Sequence, residues 1–108
     1  MLALLPILSK AQSKVAKDTL TVNGVCGECK ERIQEAAYKV KGVKKAEWNK
    51  ITHVLTVSYQ TKKTSLQAIA TSLAAAGHDN RLALSTNEQY ATLPHCCKYR
   101  DGAKCDHD

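Results

Sequence analysis

Two cysteines separated by two residues, Cys26 and Cys29, are the side chains of this sequence with the clearest capacity for chemistry. They follow a stretch of alternating apolar and polar residues and open a stretch of helical periodicity, which predicts a loop at a helix N-terminus. Backbone N–H groups without intrahelical acceptors and the positive end of the helix dipole favour thiolate at that position. Four kinds of site share this spacing: soft-metal sites, dithiol redox pairs, zinc half-sites and structural disulfides.

A second group of potential ligands lies at the C-terminus. The last fourteen residues contain three cysteines and two histidines, namely His95, Cys96, Cys97, Cys105 and His107. The total of five cysteines is odd, so a monomer cannot pair all of its thiols internally. A pure disulfide framework is therefore disfavoured.

Three hypotheses are open for this tail. Cys96 and Cys97, with His95 as a helper, could fold over the C-x-x-C loop and raise the coordination to three or four sulfurs. A second, independent site could use Cys105 and His107 as well. The tail cysteines could instead form structural or intermolecular disulfides, including one that links a homodimer.

The composition limits the function classes. The chain has 108 residues and a formal net charge of +6, with one Trp, four Tyr and no Phe. This length suits one small domain with tails. The basic residues are spread along the chain and lack the aromatic platform on which single-stranded nucleic acids stack, so we expect no nucleic-acid partner. A solvated basic surface is the simplest interpretation, with steering toward an acidic partner as the alternative.

The first eleven residues differ from the rest. An apolar run over residues 1–8 is followed by Ser9, Lys10 and Ala11, with small residues at the two positions that a signal peptidase recognises. This pattern predicts a signal-peptide remnant over 1–11, Gln12 as the mature N-terminus and a linker over 12–17, although no Lys or Arg precedes the run. The run is too short to span a bilayer, so we expect no stable membrane insertion after signal removal. The expected location is periplasmic or otherwise exported, and cytoplasmic if the run is not a signal.

The elements predicted around the two cysteines have the order βαββαβ. Alternating residues predict strands over 17–23, 43–49 and 52–59, and a short fourth strand over 80–84. Apolar stripes predict one helix from residue 27 or 28 to 41, ended by Gly42, and a second helix that is capped by Thr64 or Ser65, runs to about residue 76 and is ended by Gly77. The fold class is therefore α+β, a ferredoxin-like domain over 18–84 with a four-stranded antiparallel sheet and two helices on one face.

Residues 85–108 follow this domain. Residues 85–88 are a capping-box candidate that predicts a short C-terminal helix through Leu93, which Pro94 ends. The Cys- and His-rich tail comes after it.

The pattern also predicts the surroundings of individual side chains. Cys29 falls on the buried stripe of the first helix and Cys26 precedes it in the loop, so we expect a sheltered Cys29 and an exposed Cys26. Trp48 lies on the inward face of a strand and is expected in the core. His53, in the hairpin, is expected at the surface. His78 is expected to be solvated, with metal binding or tuning of thiolate charge as the alternative.

The C-x-x-C at a strand-to-helix junction resembles the heavy-metal-associated (HMA) domain. The resemblance extends over roughly residues 18–84 and includes the segments Lys30-Glu31-Arg32-Ile33, Val40-Lys41-Gly42-Val43 and Ala75-Ala76-Gly77-His78. This family includes copper chaperones, periplasmic mercury-binding proteins and N-terminal modules of metal-transporting P-type ATPases. The Leu-Pro-x-Cys-Cys-x-Tyr segment at 93–99 resembles an extension of exported Bacteroidetes-type proteins. This resemblance assigns no function to the segment.

The resemblance implies that Cys26 and Cys29 are metal ligands and that the protein is not an enzyme. Two thiolates on a mobile loop suit Cu(I) foremost, with Ag(I) and Hg(II) chemically similar, whereas Zn(II) needs two further ligands. The implied role is a metal chaperone or scavenger that exchanges thiolate ligands with a metal-transporting P-type ATPase or another donor or acceptor protein.

Several alternatives stay open beside this role. The protein would be a monomer or a metal- or disulfide-linked dimer, and a resting disulfide between Cys26 and Cys29 would need reduction before metal loads. The competing hypothesis is a non-metal interaction or redox module whose cysteines form disulfides. Gly24 stands where the family usually has Met, which puts the rigidity of the loop in question, and Glu28 stands where a small residue is usual.

Overall fold

A computed structural model describes residues 14–102 of the chain. Three strands form one antiparallel sheet of order β1-β3-β2, with β1 at Val15–Thr21, β2 at Val43–Trp48 and β3 at Val54–Gln60. The helices are α1 (Gly27–Tyr38), α2 (Leu66–Ala75) and the short α3 (Asn87–Tyr90). Two 3-10 turns follow, at His95–Cys97 and Tyr99–Asp101. The order of the first five elements and the additional short helix agree with the sequence-based prediction.

The core lies between the inward face of the sheet and helices α1 and α2. Alternation along the strands turns every second side chain inward, and α1 and α2 add the apolar stripes that meet them. The buried side chains of the strands and of the residue after β1 are Leu20, Val22, Ala46, Trp48, Leu55, Val57 and Tyr59; those of α1 and α2 include Cys29, Ile33, Ala36, Ala37, Ile69, Ala70 and Leu73. This packing fixes the start of α1 against the sheet.

The predicted fourth strand is wrong within the residues that the structure describes. Only an isolated bridge, Val22 with Asn80, joins this segment to the sheet. The Asn80 side-chain oxygen accepts the N–H groups of Leu82 and Ala83 at 3.0 and 2.9 Å, which folds the chain into a tight turn instead of an extended strand. Leu82 and Leu84, predicted inward, are consequently exposed.

The short helix α3 begins with a capping box one residue later than predicted. The Thr86 hydroxyl accepts from Gln89 N, and the Gln89 side chain accepts from Thr86 N. Ser85 is buried instead, donating its N–H to Asp79 Oδ1 at 2.8 Å and its hydroxyl to the carbonyl of Ala74 at 2.7 Å. Ser85 therefore ties the start of the C-terminal region to α2.

Some sequence-based predictions lie outside the described residues. These are the signal remnant at 1–11 and the ligand assignments of Cys105 and His107. Within residues 14–102, no helix has the length and apolar character needed to cross a membrane.

Candidate metal-binding site

The two cysteines of the C-x-x-C lie at the first turn of α1. Cys26 is the N-cap residue, and Cys29 is the third residue of the helix and belongs to the core. Cys29 is fully buried, as predicted, but Cys26 is only 1% exposed. The prediction of an exposed Cys26 is therefore wrong.

The C-terminal region packs onto this turn, which the helical pattern of α1 alone could not reveal. Cys97 forms a disulfide with Cys29, their Cα atoms lying 5.8 Å apart, and Cys97 is fully buried. Cys26 is disulfide-bonded as well. The position of Cys97 agrees with the hypothesis that the tail folds over the C-x-x-C loop, and its bond agrees with the hypothesis of a structural disulfide. The expected resting disulfide between Cys26 and Cys29 is wrong in this structure, because Cys29 is bonded to Cys97 instead.

The other tail residues near the loop are placed differently. The thiol of Cys96 donates to Glu28 Oε1 at 3.6 Å on the outer side of α1. His95 is exposed to solvent. Cys96 and Cys97 are adjacent on the 3-10 turn, so the Cys97 side chain lies in the core and the Cys96 side chain lies at the Glu28 carboxylate on the surface. No group of three or more His, Cys, Asp or Glu side chains within residues 14–102 is arranged to hold a metal ion in this state.

The Trp48 side chain packs against the loop that carries Gly24 and Cys26. Its side chain is fully buried, as predicted, and its indole N–H donates to the carbonyl of Val22 at 3.0 Å. A Cβ atom added to Gly24 would lie 3.0 Å from Cη2 and Cζ2 of Trp48 and 3.1 Å from Cβ of Cys29. The indole therefore fills the space next to Gly24. His53, predicted at the surface, is half-buried and stacks on Trp48 with ring centroids 5.4 Å apart.

His78 is buried, so its predicted solvation is wrong. Its Nδ1 donates to the carbonyl of Asn23 at 2.8 Å, whereas Nε2 has no hydrogen-bond partner within residues 14–102. Burial lowers the pKa of His78 to about 4, outweighing the hydrogen bond to Asn23, which raises it. The ring is therefore neutral at physiological pH and holds the residue that precedes Gly24.

A set of polar contacts fastens the tail beside the loop. Tyr99 Oη donates to the carbonyl of Gly77 at 2.6 Å and accepts from Asp79 N at 2.7 Å. The Arg100 guanidinium donates to both carboxylate oxygens of Asp79 at 2.9 and 2.8 Å and packs over the Tyr90 ring at 4.5 Å. We call residues 93–101 the strap.

The ion pair between Arg100 and Asp79 is partly exposed, with 31% of the Arg100 side chain and 12% of the Asp79 side chain accessible to solvent. Burial alone would raise the pKa of Asp79, but the hydrogen bonds from Arg100 and Ser85 prevail and lower it. The same carboxylate raises the pKa of Arg100. Sequence reasoning missed Tyr99, Arg100 and Asp79, because nothing local to these residues indicates that they meet.

Comparison with known proteins places this arrangement in a family. The sequence profile of the heavy-metal-associated domain matches residues 19–79. The chain belongs to the heavy-metal-associated domain family. No curated protein sequence matches it.

Solved structures share the HMA fold. The CopZ metallochaperone is 26% identical with a TM-score of 0.58, over 60% of this chain and 98% of that one. Oxidized MerP from Ralstonia metallidurans CH34 is 29% identical with a TM-score of 0.53, over 60% of this chain and 94% of that one. The water-soluble region of the P-type ATPase CopA from Bacillus subtilis is 26% identical with a TM-score of 0.59, over 64% of this chain and 46% of that one.

Proposed function

We propose that this protein binds a soft heavy-metal ion through Cys26 and Cys29, with Cu(I) as the favoured ion. The observation that carries the proposal is the placement of both cysteines at the first turn of α1 in a member of the HMA family. A helix N-terminus stabilises the thiolate form that metal binding requires. The proposed role is binding and transfer, because the chain belongs to the HMA family and is similar to a metallochaperone.

The preference for Cu(I) follows from ligand chemistry. Thiolates are soft ligands, and two of them satisfy a low-coordinate d¹⁰ ion such as Cu(I), Ag(I) or Hg(II). Zn(II) in structural sites takes four ligands, which two cysteines do not provide. Membership in the HMA family, which includes copper chaperones and mercury-binding proteins, supports copper and keeps Hg(II) among the ions to be tested.

We infer that the ion is passed by thiolate exchange. A thiolate of a donor or acceptor protein would enter the coordination shell while Cys26 or Cys29 leaves, without any net oxidation. The similarity to part of the P-type ATPase CopA makes a metal-transporting ATPase a reasonable partner, with sequestration as the alternative use of the same site.

Export is part of the proposal and has its own test. The apolar run before Ala11 motivates it, and disulfides are stable mainly in oxidising compartments. Mass spectrometry of the protein from fractionated cells should find Gln12 at the N-terminus of the exported form. An intact residue 1 in a cytoplasmic fraction would contradict export without affecting metal binding.

The binding proposal is tested by competition with a chromophoric Cu(I) chelator under anaerobic conditions. The fully reduced wild-type chain should take up one Cu(I), and the Cys26→Ser/Cys29→Ser variant should lose that uptake. Cys96→Ser is the matched control and should behave as wild type, because the Cys96 thiol points to Glu28.

Two results would count against metal binding by this loop. Unchanged uptake in the double variant would move the site elsewhere in the chain. Absence of uptake by the reduced wild-type chain would favour the non-metal interaction module, which membership in the HMA family does not favour.

A further inference from the structure

The strap holds Cys97 in place by contacts that do not involve sulfur. Leu93 is buried in the core cluster, and Tyr99 bridges Gly77 and Asp79. Arg100 adds two hydrogen bonds to the Asp79 carboxylate and one, at 2.9 Å, to the carbonyl of Ser85. These contacts lie on both sides of Cys97 along the chain, so Cys97 stays beside α1 when its disulfide is broken.

From this geometry we propose that Cys97 is a third thiolate ligand of the metal site, which becomes available when the Cys29–Cys97 disulfide is reduced. The inference rests on the proposed function and adds a ligand from outside the HMA domain match. Reduction converts Cys29 and Cys97 from a bonded pair of sulfurs, which binds no soft ion, into two neighbouring thiols whose Cα atoms lie 5.8 Å apart. They lie at the helix start that has Cys26 as its N-cap. The oxidised protein is the closed form, and the reduced protein is the form that loads.

A dithiol reductant breaks the Cys29–Cys97 disulfide in two exchange steps. One thiolate of the reductant attacks the Cys29–Cys97 bond, and its second thiol resolves the mixed disulfide. Two electrons and two protons pass to the protein, which leaves Cys29 and Cys97 as thiols and the reductant as a disulfide. The disulfide that holds Cys26 is reduced in the same way. Cu(I) then binds with loss of the thiol protons.

Three-coordinate sulfur ligation suits Cu(I) and would hold it more tightly than two sulfurs do. Because the strap is already ordered against the domain, the third ligand adds little entropy cost and acts at high effective concentration. Such a site favours retention over rapid exchange, and an acceptor thiolate must displace Cys97 to receive the ion. By supplying this third ligand, the strap favours storage of the ion by the protein.

X-ray absorption at the copper edge tests this with the reduced, full-length protein loaded with one Cu(I). The wild type should give three Cu–S contacts and Cys97→Ser two, with affinity for Cu(I) lowered about tenfold or more. The matched control is Cys96→Ser, which changes the adjacent cysteine and should keep three Cu–S contacts and wild-type affinity. Peptide mapping of the unreduced wild type should recover a Cys29–Cys97 linkage.

The outcomes separate this inference from the proposed function. Two Cu–S contacts in the wild type, with Cys97→Ser equal to wild type in affinity, would overturn the third ligand while leaving metal binding by Cys26 and Cys29 intact. Loading of the unreduced wild type as rapid as that of the reduced protein would overturn reductive opening. No copper binding by any reduced form would overturn the proposed function itself.

Discussion

Alanine at Gly24 should destabilise the protein because Trp48 occupies the space that a side chain would need. The new Cβ would lie 3.0 Å from two indole carbons, tighter than ordinary van der Waals contact. The indole cannot easily move aside, because it is fully buried, hydrogen-bonded to the carbonyl of Val22 and stacked on His53. The clash must be relieved by the loop that carries the cysteines.

Two opposing effects set the change in the free energy of unfolding caused by Gly24→Ala. Overpacking a well-packed core costs about 1–3 kcal/mol. Replacing glycine lowers the entropy of the unfolded chain and returns about 0.4–1 kcal/mol. We therefore expect Gly24→Ala to lower the free energy of unfolding by about 1–2 kcal/mol. Gly24→Met, the residue usual in the family, should cost more.

A double-mutant cycle with Trp48→Phe isolates the cause. Phe lacks the indole carbons that meet the new Cβ, but the change leaves the buried carbonyl of Val22 without its N–H donor, at a cost of about 1–3 kcal/mol. In the double variant the clash is absent, so its destabilisation should be smaller than the sum of the single effects by about 1–2 kcal/mol. Urea unfolding of the reduced, metal-free proteins, followed by circular dichroism, measures these differences.

The control pair combines Gly24→Ala with Ile51→Ala, whose side chain is 83% exposed in the hairpin. These two effects should add to within about 0.5 kcal/mol. Strict additivity of Gly24→Ala and Trp48→Phe would refute the reasoning, and so would a Gly24→Ala protein as stable as wild type.

Three further predictions concern the strap and His78. Tyr99→Phe removes the hydroxyl between Gly77 and Asp79 and should cost about 1–3 kcal/mol in urea unfolding, while a Tyr99→Phe protein of wild-type stability would show that these bonds are replaced by water. Gly77→Ala should cost more than about 1 kcal/mol, since Gly77 has φ +106° and its new Cβ would lie 2.9 Å from Leu93, and unchanged stability would contradict that packing. The folded-state pKa of His78, about 4, is below its ordinary 6.5, so its contribution to stability, about 3 kcal/mol, is complete above pH 6.5 and is lost as pH falls toward 4. Unfolding measured across this range should show the decline in wild type and a flatter profile in His78→Gln.

The sequence predicts best where local pattern and packing agree. The strands and helices that flank Cys26 and Cys29 have strong periodicity, and the inward position of Trp48 follows directly from alternation along β2. The placement of both cysteines at a helix start could therefore be predicted without a structure. The fourth strand could not, because the side chain of Asn80 competes with the sheet for the same backbone N–H groups.

Long-range contacts explain the other differences between the sequence-based predictions and the structure. Burial of Cys26 and His78 depends on segments distant in sequence, and periodicity reports only which face of an element is apolar. Tyr99 and Arg100 read as ordinary polar residues of a charged tail until Asp79 is seen to face them. The sequence leaves the approach of Cys97 to Cys29 as one of several hypotheses, because spacing alone does not determine which cysteines meet.

The disulfide between Cys29 and Cys97 also limits the chain entropy of the unfolded state. It joins residues separated by 68 positions, and closing a loop of that length stabilises a folded protein by about 4 kcal/mol. A reductant removes this restraint, whereas an ion bound to the same two sulfurs would close the loop again. The reduced, metal-free chain is then the least stable of the three states and the one most open to proteolysis, so its lifetime in the cell would depend on how soon it acquires metal.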